Sequence, residues 1–199
     1  SFMDEVCTEL KKDPVQFRLE LFEKAKAVPP GNDQQARFRS DPDKYKSVVE
    51  LVAKMCNWGT TVPGVYRGFA TWFSFGSYAA QVVEVKMVNG NPRIVKVFCA
   101  VNCGRVINLS GAENQIQGAI VDGIWHAMFP KITFVHGAVA ETNFHSYKFL
   151  RMKDAPLDIE VKFVDSDEAP TGLGEPALPP VAAALANAIY AATGKRIRK

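Results

Sequence analysis

Several common signatures are missing from this 199-residue chain, and each absence removes a class of function. No CxxC pair occurs among the four cysteines, Cys7, Cys56, Cys99 and Cys103. An extended strand would hold Cys99 and Cys103 about 13 Å apart, beyond the reach of a disulfide. Buried free thiols are therefore expected, with no disulfide framework and no zinc site. His126, His136 and His145 stand alone, without metal-ligand spacing. No P-loop, GxGxxG or GxSxG motif is present. No apolar run reaches the ~20 residues that span a bilayer. A formal net charge of +3 is too small to indicate nucleic acid. The basic run Lys195–Lys199 reads as a solvated helix end.

What remains is a globular composition, 47% hydrophobic and 23% charged. Residues 2–10 read as a short helix. Asp13-Pro14 opens a second, with Asp as N-cap and Pro at the first helical position, through about residue 26. Residues 27–43 read as a linker. A third helix is expected from about Asp43 to Asn57. Residues 78–88 and 93–102 alternate as strands about the turn Asn89-Gly90-Asn91-Pro92. Residues 109–129 return to a helical period, with Ser110 and Glu113 placed as a capping box. Gly118 and Gly123 inside that helix suggest that another backbone or a ligand comes close. A second hairpin is expected around His136-Gly137, and a further strand over 157–164. The last helix starts at Pro179 or Pro180 and ends at Thr193 with Gly194 beyond it. It is apolar nearly all round and so is expected to be buried. With no βαβ rhythm visible, the class is α+β. The expected organisation is a helical segment and linker over 1–59, then a domain portion over 60–199.

Three stretches could carry chemistry. Thr171-Gly172-Leu173-Gly174-Glu175-Pro176 places a carboxylate after a glycine turn and just before a helix. Nearby helix N–H groups would lower the Glu175 pKa and apolar surroundings would raise it. A base poised between the two suits proton abstraction; an ordinary loop acid resting on the helix dipole suits the pattern equally. Asn114, Gln115 and Gln117 offer carboxamides that could read a heteroaromatic ring, or could be surface amides. Trp72 through Tyr78 could be a stacking or phosphate-contacting loop, or the start of a strand with core aromatics.

Taken in order, these residues resemble a known family along nearly the whole chain. Ser1-Phe2-Met3-Asp4-Glu5 with Asp13-Pro14-Val15-Gln16-Phe17-Arg18 is similar to a helix pair of molybdopterin-binding subunits. These are the large subunits of isoquinoline 1-oxidoreductase and related aldehyde dehydrogenases, in the xanthine oxidase group. Ser74 to Val82, Cys103-Gly104-Arg105-Val106-Ile107-Asn108, Gln115-Ile116-x-Gly118, and Asn143 to Met152 resemble further family segments. Gly172-Leu173-Gly174-Glu175-Pro176 through Ala192-Thr193-Gly194-Lys195-Arg196 is the most specific match. Asn102, Leu109, Gln117 and Ala119 depart from the usual Asp, Pro, Glu and Gly, which touches the substrate more than the chemistry.

The resemblance implies a molybdenum cofactor-binding domain of the xanthine oxidase/aldehyde oxidoreductase type, with antiparallel hairpins packed against helices. It implies a molybdenum–molybdopterin cofactor that oxidises an aldehyde or an N-heterocycle carbon with oxygen from water. Glu175 would be the general base, and Gln115, Gly118, Gly172 and Gly174 would meet the cofactor, with no protein ligand to the metal. Implied partners are the rest of the large subunit and a small subunit carrying [2Fe–2S] clusters. The chain reads as a piece of a longer protein, and on its own it is expected to be inactive and to bind the pterin weakly or not at all. The other reading is a non-catalytic module that keeps the fold but not the reaction.

Overall fold

The computed structural model describes residues 1–27, 40–156 and 158–198. Most of the expected 27–43 linker, and position 157 of the expected last strand, lie outside the described residues. Two Asp-Pro pairs start two of the first three helices. Asp13 Oδ1 accepts from the amides of Val15 and Gln16 at the head of α2 (Pro14–Lys26). Asp41 does the same for Asp43 and Lys44 at the head of α3 (Pro42–Met55), so that helix starts one residue before the expected position. Such caps satisfy amides that have no partner within the helix. The first helix, α1 (Phe2–Glu9), is tied to α2 by Arg18 and Asp4, buried and 2.6 Å apart.

The sheet has the order β1-β2-β3-β6. Its first three strands, β1 (Tyr66–Ser74), β2 (Ser77–Val88) and β3 (Asn91–Asn102), form an antiparallel meander. The Asn89-Gly90 turn joins β2 to β3 with φ of 51° and 78°, values that suit a two-residue hairpin. Phe75-Gly76 joins β1 to β2 in the same way.

Sequence patterning missed β1. Gly68, Phe69 and Ala70 are buried in succession, so the two-residue alternation is lost. It also missed a crossover. After β3 comes α4 (Leu109–Met128), then the small hairpin β4 (Phe134–Val135) and β5 (Ala138–Val139), and a short 3-10 turn at Met152–Asp154. The chain then returns as β6 (Ile159–Phe163), parallel to β3. The sheet is therefore mixed rather than built of antiparallel hairpins alone. A parallel pair needs such a crossover, hidden here by the long excursion between α4 and β6.

Helix α5 (Pro179–Thr193) ends at Gly194 in the left-handed conformation, as expected. It buries one face, through Val181, Ala184, Leu185 and Ala188, while Ala182 away from that face is exposed. It lies so close to β1 that a Cβ on Gly68 would collide with the Ala184 carbonyl oxygen and the Ala188 amide nitrogen. Two cores result. Helices α4 and α5 cover Val83, Val85, Val97, Cys99 and Val101. Helices α2 and α3 cover Phe69, Tyr78, Val82, Phe98 and Ala100.

Candidate functional site

Three segments meet the 168–175 loop at one end of the sheet. The turn after β3 approaches residues 168–171, with the Arg105 amide donating to the Glu168 carbonyl and the Thr171 amide to the Cys103 carbonyl, each at 2.9 Å. The β1–β2 turn takes the next residue, with the Gly172 amide donating to the Phe75 carbonyl at 3.0 Å. Only glycine fits there, since a Cβ at position 172 would sit 2.5 Å from Phe75 Cβ. The third segment is the first turns of α4. Gln115 Oε1 lies 3.6 Å from the place a Cβ on Gly174 would occupy. Thus Gly172, Gly174 and Gln115 come together, with Glu175 next in the chain.

Glu175 is exposed, four residues before α5 begins. Its carbonyl accepts from the Leu178 amide at 2.9 Å, closing a turn over 175–178. Its carboxylate and the Gln115 carboxamide have no hydrogen-bond partner among the described residues. Beside Gln115 is an open cleft of about 330 Å³, lined by Cys103, Arg105, Val106, Ile107, Thr171 and Leu173 among others. Ile107, 79% exposed, stands at this cleft. The cleft combines an apolar wall with carboxamide and backbone polar groups, the usual character of a cofactor or small-molecule site.

The helix cap differs from the expected box. Asn108 is the N-cap, its Oδ1 accepting from the Gly111 amide at 3.0 Å. The Ser110 hydroxyl bonds to the same Asn108 oxygen. The helix starts at residue 109 as expected, but its cap lies two residues before Ser110, and a carboxamide can cap helix amides as a serine does. Gly123 behaves as expected, since a Cβ there would come within 2.8 Å of the Leu178 carbonyl oxygen. A Cβ on Gly118 would meet nothing outside its own stretch of helix within 4 Å among the described residues, so no other described backbone approaches it. It stands one turn beyond Gln115 on the same helix side.

Trp72 to Tyr78 forms a hairpin rather than a binding loop. Tyr78 is a core residue, packed edge-on against Tyr45 with centroids 5.0 Å apart. His126 Nδ1 donates to the Asp122 carbonyl, 3.0 Å away, roughly 16 Å along α4 from Gln115. All four thiols are buried and free. Burial pushes Cys99 up to about 12 and Cys56 up to about 11, which keeps both as unreactive thiols. Sequence reasoning did not single out Ser77 or Gln81, two buried polar residues of β2 that touch the Glu175 loop. The available signal was a carboxamide inside an otherwise apolar run, Tyr78-Ala79-Ala80-Gln81-Val82-Val83.

Comparison with known proteins agrees with this geometry. The model of a family described as a molybdopterin cofactor-binding domain matches residues 4–156. The chain is 32% identical over 215 residues to the membrane-bound aldehyde dehydrogenase [pyrroloquinoline-quinone] of Gluconacetobacter polyoxogenes, covering 99% of this chain and 26% of that protein. It is 29% identical over 204 residues to isoquinoline 1-oxidoreductase subunit beta of Brevundimonas diminuta, covering 100% of this chain and 24% of the relative. The chain thus spans about a quarter of the length of these relatives. Among solved structures, the aldehyde oxidoreductase of Desulfovibrio desulfuricans superposes with a TM-score of 0.52 at 25% identity, over 61% of this chain and 14% of that one.

Proposed function

The chain belongs to the family of molybdopterin cofactor-binding domains, and from that premise we propose that it is part of a molybdenum hydroxylase with Glu175 as general base. The substrate class is an aldehyde or an N-heteroaromatic compound, as the names of the aldehyde dehydrogenase and isoquinoline oxidoreductase relatives suggest. Partners would be the rest of the large subunit and a small [2Fe–2S] subunit.

The observation that carries the reading is the approach of Gln115 to Gly174, the residue before Glu175. The donor set fits a pterin cofactor. Gln115 offers both a donor and an acceptor to a heterocycle edge. Gly174 leaves open space beside it, with nothing but Gln115 Oε1 within 4 Å of its Cβ position. Gly172 lets the loop lie flat on the β1–β2 turn, and Gly118 leaves the next turn of α4 without a side chain. When bound, the molybdenum cofactor supplies the oxidation of the substrate carbon with oxygen from water; the protein positions and tunes. Glu175 is exposed, and its oxygens are free to take a proton, as a general base must.

The test uses the full-length subunit co-expressed with its iron–sulfur partner. Metal analysis and dye reduction with aldehydes and N-heterocycles are measured for the parent and for Glu175→Gln. The expected result is molybdenum in both, with turnover lowered by roughly 10²–10⁴-fold in the variant. Normal turnover in Glu175→Gln would sink the assignment of the base. An assembled complex without molybdenum would favour a non-catalytic module, or a quinone cofactor such as the Gluconacetobacter relative's name specifies.

A further inference from the structure

Besides the backbone bonds of Thr171 to Cys103 and of Gly172 to Phe75, the loop that carries Glu175 is held by two side chains of β2. Upstream, Ser77 Oγ lies 2.7 Å from Thr171 Oγ1 and also donates to the Gly172 carbonyl. Downstream, Gln81 Nε2 donates to the Ala177 carbonyl at 2.6 Å. Positions 77 and 81 are four apart on one strand, so they share a face and stand about 13 Å apart. Both side chains are fully shielded from solvent. Between the two holds the backbone has little else to grip. Pro176 has no N–H to donate, and the Leu178 amide bonds within the turn itself, to the Glu175 carbonyl.

The orientation of the Gln81 carboxamide is forced. Turning it over would bring two oxygens to 2.6 Å, so the nitrogen must face Ala177. Its Oε1 is then buried with no partner among the described residues. An unmet buried acceptor is unfavourable, and an apolar side chain of similar volume would fill the same space without it. What the carboxamide contributes is a fixed place for the Ala177 carbonyl, two residues from Glu175.

We infer that Ser77 and Gln81 are positioning residues, a two-point clamp that sets where the Glu175 carboxylate stands. This rests on the reading of Glu175 as the base. The loop is anchored to strand side chains as well as by its own turn, which suits a group that must be held to a fraction of an ångström.

Gln81→Met and Ser77→Ala, each made in the full-length subunit assembled with its small subunit, test the clamp beside Glu175→Gln. Molybdenum content and KM are expected to stay within about twofold of the parent, with kcat lowered roughly 10–100-fold. The acid limb of the kcat–pH profile should shift, because moving the carboxylate changes its surroundings. A readout separate from turnover is amide hydrogen exchange in the metal-free full-length subunit. The Leu178 amide should exchange about tenfold faster in both variants, with β3 unchanged. Parent-like kcat and pH profile in a molybdenum-loaded variant, with Glu175→Gln inactive, would overturn the clamp. If Gln81→Met does not assemble, Ser77→Ala decides by the same criteria, since it removes a single hydroxyl. If Glu175→Gln stays active, the assignment of the base falls instead. Hydrogen exchange alone then decides whether positions 77 and 81 hold the loop.

Discussion

The two faces of the sheet handle buried polarity in opposite ways. On the side of α1 to α3, charged groups are paired with each other, besides donating to the Pro14 and Thr60 carbonyls. Arg18 meets Asp4 at 2.6 Å, and Arg67 meets Glu84 at 2.7 Å. On the side of α5, buried carboxamides are committed to backbone carbonyls. Gln81 holds Ala177, and Asn187 donates to the Phe69 carbonyl at 3.0 Å. Each then leaves its own oxygen without a partner among the described residues, at a cost of about 1–3 kcal/mol apiece. Pairs of side chains stabilise packing. Side chains bonded to main chain fix a backbone path, and here that path is the loop and helix that follow Glu175. The unmet oxygens of Gln81 and Asn187 lie on the α5 face, which trades stability for placement.

Adjacent residues of β1 can break this contrast. Phe69 is wholly buried in the α2–α3 core, while Gly68 faces α5. Phe69→Ala should cost about 3–5 kcal/mol, as large aromatic deletions do, read from the urea midpoint of the chain. In the assembled full-length protein its kcat should stay near the parent value. Gly68→Ala should cost less, about 1–3 kcal/mol, yet lower kcat, because the added carbon must push α5 away from β1. A variant pair in which Phe69→Ala hurts kcat more than Gly68→Ala would show that the faces do not divide the work this way.

Much of the fold was legible where one short stretch decides the outcome. Asp13-Pro14, Asn89-Gly90 and Gly194 each fix their own turn or cap, and each was readable. Strand β1 was not, because Gly68 and Phe69 are buried against different helices and the alternation disappears. The parallel partner of β3 was not, because α4 and β6 are separated by some thirty residues of other structure. The same division holds at the site. Gly172-Leu173-Gly174-Glu175 and Gln115 could be named from local pattern and family resemblance. The clamp could not, because its bonds join positions 94 to 96 apart in sequence. No local window contains both partners, and Gln81 looks misplaced until Ala177 is seen above it.

The smallest effect concerns the other support of the site, the head of α4. Asn108→Ala should cost about 1 kcal/mol, the usual value of an N-cap, again read from the urea midpoint. Ser110→Ala should cost close to nothing, because its hydroxyl bonds to the Asn108 side chain and caps no amide of its own. The reverse ranking would restore the serine cap suggested by sequence. The pair also sharpens the contrast between faces. Fraying the first turn of α4 moves Gln115, seven residues after the cap, but leaves the Ser77–Gln81 grip on the Glu175 loop intact. If Gln115 meets the cofactor, Asn108→Ala should weaken molybdenum retention in the full-length protein while the kcat of the loaded fraction holds. Loss of kcat at full molybdenum content would instead mean that α4, too, places the base.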